Sequence, residues 1–201
     1  MRITKIELGI KNCGIDIGKR FATVYTAFCN LHCKGCIKKS YEGTEMTIEE
    51  IVDSINILGE RNVLISGGEP LCQRRELFAL LKELVDFRII IESNGTLGPQ
   101  NLSPYVNWWD ICLKLESSHN KKTRRERHNV IRKFLELDNV SFSFEIESTA
   151  DYYETSNLIR KYAFKDIIMV SRNENLNELL LNECRKHDGW SFQIPIGRMI
   201  R

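Results

Sequence analysis

Short apolar runs alternate with longer amphipathic stretches along nearly the whole chain. Residues 21–27, FATVYTA, are dominated by β-branched and aromatic side chains and predict a strand. Residues 28–43 are polar and glycine-containing and predict a long loop. Thr47 then has the look of a helix N-cap. Glu49 and Glu50 fill the first turn, and Ile48, Ile51, Val52, Ile55 and Leu58 recur at helical spacing until Gly59 stops the run. The rhythm repeats: a strand over 62–66, a helix over 71–87 with Leu77, Leu80, Leu81 and Leu84 on one face, and strands over 88–92 and 109–115. A helix over 121–137, a strand over 140–146, a helix over 152–162, a strand over 167–170, a helix over 176–186 and a strand over 191–194 complete the pattern.

Strands that are continuously apolar and alternate with helices predict βα units, right-handed crossovers and a parallel sheet. About six units fit, whereas a complete eight-unit barrel needs about 250 residues. The expectation is therefore an α/β protein, an incomplete (β/α)6-type parallel barrel, with residues 1–201 forming a single domain. Parallel sheets place their sites at the C-terminal ends of the strands. The loop 28–43, Ser66 to Pro70 and Glu92 to Thr96 each follow a predicted strand.

Composition narrows the picture. Apolar residues make up 42% and charged residues 28%, which excludes a disordered chain, a collagen-like repeat and a disulfide-stapled miniprotein. No apolar run approaches the roughly 18 residues of a membrane span. Met1 to Lys5 lack the apolar core of a signal peptide, so the cytoplasm is the expected location. A net charge of +2 does not predict a polyanionic partner. The basic run from Lys121 to His128 has no aromatic interleaving, so it reads as a solvated helix face or a lid over an anionic substrate rather than a nucleic-acid surface. Seven cysteines are an odd number, and in a reducing compartment clustered cysteines signal metal or redox chemistry.

Cys29, Cys33 and Cys36 fall within eight residues, while Cys13, Cys72, Cys112 and Cys184 are scattered. Thiolates spaced Cys-x3-Cys-x2-Cys on one loop can converge on an iron–sulfur cluster. Four cysteines close a 4Fe–4S cluster, and three leave one iron open to another ligand. Zinc is an alternative, because His32 lies inside the motif. Its neighbour Cys33, however, would turn the imidazole away from a shared site. A loop of free thiols is the other alternative, and it would be an oxidation liability.

This spacing after the first strand of a βα chain resembles the radical S-adenosylmethionine superfamily. The resemblance implies a 4Fe–4S cluster on Cys29, Cys33 and Cys36, whose open iron chelates S-adenosylmethionine. Reductive cleavage then yields a 5′-deoxyadenosyl radical. Ser66-Gly67-Gly68-Glu69-Pro70 is similar to the family's GGEP motif; its glycines allow close backbone approach, and its strand-end carbonyls and Glu69 suit an ammonium group. Glu92 to Thr96 resembles a segment that lies beside the cofactor in relatives. By this resemblance Gly35, Ile37, Ser66, Gly67, Gly68, Glu69, Ser93, Asn94 and Lys114 surround S-adenosylmethionine.

The small size, GGEP-Leu-x-Gln from Gly67 to Gln73, the ESNGT segment, Lys114-Leu115 and Ser191-Phe192-Gln193 resemble the 7-carboxy-7-deazaguanine synthase family of lyases. That family contracts 6-carboxytetrahydropterin in queuosine biosynthesis. The resemblance implies a small-molecule substrate, a flavodoxin or ferredoxin as electron donor and a homodimer. The substrate positions depart from the pattern. The family's QGEG loop is here Lys11-Asn12-Cys13-Gly14, its Arg before the cluster is Tyr25, and its magnesium-contacting Thr is Lys38. Either the lysine charge stands in for Mg2+ or the pocket takes another substrate. The substrate positions carried over are Asn12, Cys13, Gly14, Tyr25, Lys38 and Gln193. A glycyl-radical enzyme activase, of the anaerobic ribonucleotide reductase activating type, is the alternative, since Cys33-Lys34-Gly35-Cys36 resembles its Cys-x-Gly-Cys ending.

Overall fold

In the computed structural model of the chain the described residues are 1–36 and 42–199. They form one nine-stranded sheet. The strands are β1 (Arg2–Ile10), β2 (Arg20–Thr26), β3 (Thr44–Glu45), β4 (Asn62–Gly67), β5 (Arg88–Ser93), β6 (Trp108–Leu113), β7 (Val140–Ile146), β8 (Ile167–Ser171) and β9 (Trp190–Gln193). Their order is β3-β1-β2-β4-β5-β6-β7-β8-β9. The helices are α1 (Ile48–Ile57), α2 (Arg74–Glu83), α3 (Lys122–Arg125), α4 (His128–Leu135), α5 (Thr149–Tyr162), α6 (Asn177–Cys184) and α7 (Ile196–Met199).

From β2 to β9 every neighbour is parallel, as the apolar strands and their intervening helices predicted. The sheet is not parallel throughout. β1 runs antiparallel to β2 and carries the short antiparallel β3 on its outer edge. The alternation of Ile6, Leu8 and Ile10 with Glu7 and Gly9 was the available signal for β1.

Local chemistry sets the helix boundaries. Thr47 caps α1 through a reciprocal capping box with Glu50, and Ser148 does the same for α5 with Asp151. The helix expected over 71–87 opens instead as a 3-10 turn at Pro70–Gln73 and ends at Glu83. The helix expected over 121–137 is broken. Glu126 and Arg127 are extended, which separates α3 from α4. The cause is that Arg125 turns inward, donating to Glu154 at 2.6 Å and to the carbonyls of Lys114 and Asn120. The basic run is thus only partly a solvated face.

Side chains alternate across the parallel strands. One face packs under the helices into the main core, which includes Val24, Ile65, Ile91, Trp109, Ile111, Phe142, Phe144 and Met169. Trp109 is fully buried and meets Phe134 of α4 edge-on at 5.4 Å. The opposite face lines a lumen. The β1–β2 loop reaches across it to β9, where Gly14 and Gln193 exchange hydrogen bonds of 2.8 and 3.1 Å. Five strands stand between β2 and β9 in the sheet, so this contact requires the sheet to be rolled, as in an incomplete barrel. The lower lumen is plugged by Phe21, Leu64 and Ile90 with Ile15 and Trp108 against them. Among the described residues no helix is long and apolar enough to cross a membrane.

Trp109→Ala removes the largest fully buried side chain from the helix-facing core and is expected to cost about 3–5 kcal/mol, read as a lower urea midpoint at unchanged slope.

Candidate functional site

The C-terminal ends of β2, β4, β5 and β6 meet at one mouth of the lumen. Phe28, at φ 67°, starts the cysteine loop directly after β2. The loop sits on the backbone of the Gly-Gly-Glu segment: Gly68 N donates to Thr26 O at 2.8 Å and Glu69 N to Phe28 O at 2.7 Å. A Cβ on Gly68 would lie 1.9 Å from Phe28 O, and one on Gly67 2.4 Å from the Thr26 backbone. The two glycines are therefore required by close backbone approach to β2 and to the loop.

Two further segments clamp the loop. Asn94 donates to Asn30 at 3.0 Å and to Cys29 Sγ at 3.8 Å. Asn120 donates to Cys33 Sγ at 3.2 Å and accepts from His32 N at 3.0 Å, while Lys34 N reaches Ser118 O. Burial raises the Cys29 and Cys33 thiols above their ordinary range. Among the described residues no three Cys, His, Asp or Glu side chains close on a single ion. A 4Fe–4S cube binds each cysteine through a different iron, so separate sulfurs on one partly exposed loop, with amides aimed at two of them, fit it better than a zinc ion. Gly35 lies in this loop at φ 68°. Ile37 and Lys38 lie outside the described residues.

Glu69 does not face the mouth. It is wholly buried and accepts hydrogen bonds from Asn94 N at 2.7 Å, Ser93 Oγ at 3.0 Å and Leu71 N at 3.1 Å. Burial pushes its carboxyl up to about 6. Its role is to lock the β4 and β5 ends together, and Ser93 serves the same lock. Within that segment Gly67 and Gly68 are half-buried, whereas Ser66 and Glu69 are buried.

Below the mouth the lumen is polar. Lys11, fully buried, donates to Asp110 at 2.7 Å, Glu92 at 3.1 Å and Cys13 O at 2.7 Å. Burial alone would lower its pKa; the two carboxylates outweigh this and keep it protonated. Burial raises the Asp110 carboxyl. Ser66 Oγ donates to Glu92. A Cβ on Gly14 would lie 1.8 Å from Asp110 Oδ2, so only glycine lets the loop pass there. Nearer the mouth Lys114 donates to Cys112 Sγ at 3.0 Å and to Glu145 at 3.2 Å, and Arg172 also pairs with Glu145. The Lys114 charge holds the Glu145 carboxyl down at about 2. Burial pushes the Cys13 thiol up to about 12, with the carboxylates of Glu92 and Glu145 as further causes.

The substrate positions carried over from the sequence are thus dispersed. Cys13 and Gly14 sit in the lumen loop with Gln193 against them. Tyr25 stands in register with Ser66 at the top of β2. Asn12 is turned to the C-terminal segment, accepting from Ile196 N and Gly197 N. Lys11, Asp110, Asn120, Glu145 and Arg172 were missed. The signal for two of them was polar residues at every second position inside apolar strands, Asp110 in β6 and Glu145 in β7.

Residues 23–180 match the radical SAM superfamily profile. The chain belongs to that superfamily. It is 36% identical over 105 residues to the 7-carboxy-7-deazaguanine synthase of Thermoplasma acidophilum, covering 50% of each chain. It is 30% identical over 160 residues to that of Chlorobaculum tepidum, covering 76% of this chain and 70% of that one. The chain spans about half the length of the Thermoplasma relative and of a Clostridium acetobutylicum one. The crystal structure of QueE from Escherichia coli superimposes with TM-score 0.75 at 17% identity, over 96% of this chain and 92% of that one. Streptococcus suis SuiB bound to S-adenosylmethionine gives 0.55 at 15% identity, over 86% and 46%. Both structural likenesses concern the fold.

Gly68→Ala is expected to displace the cysteine loop and to cut retained iron per chain severalfold after reconstitution, read by iron analysis. The raised carboxyl of Glu69 makes a second prediction. The folded state holds that proton more tightly than the unfolded chain, so stability is full below about pH 4.5 and falls by about 2 kcal/mol as pH rises through about 6. In Glu69→Gln that component of the decline is absent from a denaturation series across pH 4–8.

Proposed function

We propose that the chain is a radical S-adenosylmethionine enzyme that acts on a small molecule held in the lumen, of the 7-carboxy-7-deazaguanine synthase kind. The observation that carries this reading is the seating of the three-cysteine loop on Gly67–Glu69 and Asn94, directly over a charged lumen closed below by apolar side chains. Cys29, Cys33 and Cys36 would each hold one iron. The amides of Asn94 and Asn120 point at two of those sulfurs, where hydrogen bonds tune a cluster's potential. The backbone at Ser66 to Gly68, with Asn94 and Lys114, borders the position of S-adenosylmethionine. A reduced cluster with S-adenosylmethionine held there would supply the chemistry of a 5′-deoxyadenosyl radical.

The protein's own work is to position and to exclude water. Phe21, Leu64, Ile90, Ile15 and Trp108 seal the lower lumen, and Lys11 with Asp110 seats the β1–β2 loop above that seal. Glu145 at about 2 and Lys114, held well above its ordinary value, keep fixed charges through the neutral range, so neither moves a proton there. Support for a pterin substrate comes from the similar sequences named 7-carboxy-7-deazaguanine synthase. A reducing cytoplasm with a flavodoxin or ferredoxin as electron donor fits a cluster-bearing chain of this superfamily.

The test is anaerobic reconstitution with S-adenosylmethionine, a strong reductant and 6-carboxytetrahydropterin, followed by mass spectrometry. Both 5′-deoxyadenosine and 7-carboxy-7-deazaguanine are expected, and Cys33→Ala is expected to reduce both to background. Formation of 5′-deoxyadenosine without the deazaguanine would reassign the substrate, and an intact cluster yielding neither would remove the reading.

A further inference from the structure

We propose that the Lys114–Glu145–Arg172 bridge is the subsite that takes a carboxylate of the lumen's substrate, with Arg172 as the residue that sets specificity for it. This rests on the small-molecule reading above and adds an orientation to it. The three side chains come from three adjacent parallel strands at one level. Lys114 follows the end of β6, Glu145 is the penultimate residue of β7, and Arg172 directly follows β8. Glu145 joins the other two, accepting from Lys114 through one oxygen and from Arg172 through the other.

The bridge is open where the Lys11–Asp110 pair of the floor is not, while Glu92 beside that pair is 23% exposed. Side-chain exposure is 24% for Lys114, 29% for Glu145 and 26% for Arg172, against 0% for Lys11 and 3% for Asp110. The signs of charge differ as well. The bridge holds two cations and one carboxylate, and the floor holds Lys11 against two carboxylates, Asp110 and Glu92. A ligand with an anionic end and an N–H-bearing end is therefore oriented with the anion at the bridge and its donors towards Glu92. Within the bridge the guanidinium is the group that matches a carboxylate in plane, since its donors form a fixed fork, whereas the lysine ammonium acts as a point charge. Glu145 serves as the counter-charge that keeps the two cations side by side.

Because Lys114 also borders the position proposed for S-adenosylmethionine, the carboxylate could belong to the substrate or to the methionyl end of that cofactor, and the test on Arg172 separates the two. The full chain, reconstituted anaerobically, is titrated with fluorescent pterin-6-carboxylate and with pterin lacking the carboxylate. S-adenosylmethionine affinity is measured in parallel. The wild type is expected to prefer the carboxylated ligand by about 10- to 100-fold, the worth of charge-assisted hydrogen bonds. Arg172→Gln is expected to remove that preference while leaving binding of the uncarboxylated pterin and of S-adenosylmethionine unchanged. Arg172→Lys, which keeps the charge and loses the fork, is expected to retain only part of it, and it decides the matter if the glutamine variant does not fold. No preference in the wild type, an unchanged preference in the variants, or a loss of S-adenosylmethionine affinity would each overturn the proposal. The turnover assay is scored separately. An Arg172-dependent preference without deazaguanine formation leaves the subsite standing and removes the synthase reading.

Discussion

The buried ammonium of Lys11 is the contact on which the arrangement of the lumen depends. It lies between Asp110 of β6 and Glu92 of β5 and also reaches the Cys13 carbonyl of its own loop. Taking such a charge out of water costs several kcal/mol, and only a full set of acceptors offsets that. Satisfying Lys11 therefore fixes the β1–β2 loop inside the curve of the sheet. Gly14 is pinned against Asp110 by the same contact, and the loop then reaches Gln193 on β9. One ion pair thus ties the antiparallel edge of the sheet to its middle, and the loop carries the tie on to the far parallel edge.

The mouth above is held by a different kind of force. Backbone-to-backbone approach governs it, with Gly67 and Gly68 too close to β2 and Phe28 to carry side chains. Glu69 adds a buried carboxylate that three donors from its surroundings satisfy. A cysteine loop seated this way is fixed by elements that do not themselves ligate anything. The amides of Asn94 and Asn120 then reach its sulfurs from two other strand ends. This division between ligands and supports is what a redox site needs, because the supports set the polarity around the sulfurs.

Layering of charge gives the lumen a direction. Apolar side chains close its lower end, an acidic floor with one lysine lies above, and a net cationic bridge stands near the mouth. Glu92 of β5 and Glu145 of β7 are the charged neighbours of Cys13, and the same loop brings Ile15 N to Asp110 of β6.

Much of this was legible along the chain. The alternation of apolar runs with amphipathic stretches located the seven parallel strands, and the spacing of Cys29, Cys33 and Cys36 marked the loop that seats on Gly68 and Glu69, because both are local patterns of the sequence. Thr47 as a cap and Gly59 as a stop were equally local. The break at Glu126 was not, since it follows from Arg125 finding Glu154 across 29 residues. Nor was the inward turn of Glu69, which depends on β5 lying beside β4. The sequence by itself determined the secondary-structure rhythm and the place of the cysteine loop after the first parallel strand. Tertiary structure alone decided which polar residues share the lumen, because that depends on the roll of the sheet and the register of strands far apart in the chain. Lys11 and Asp110 are 99 residues apart and meet at 2.7 Å only once the sheet has curled.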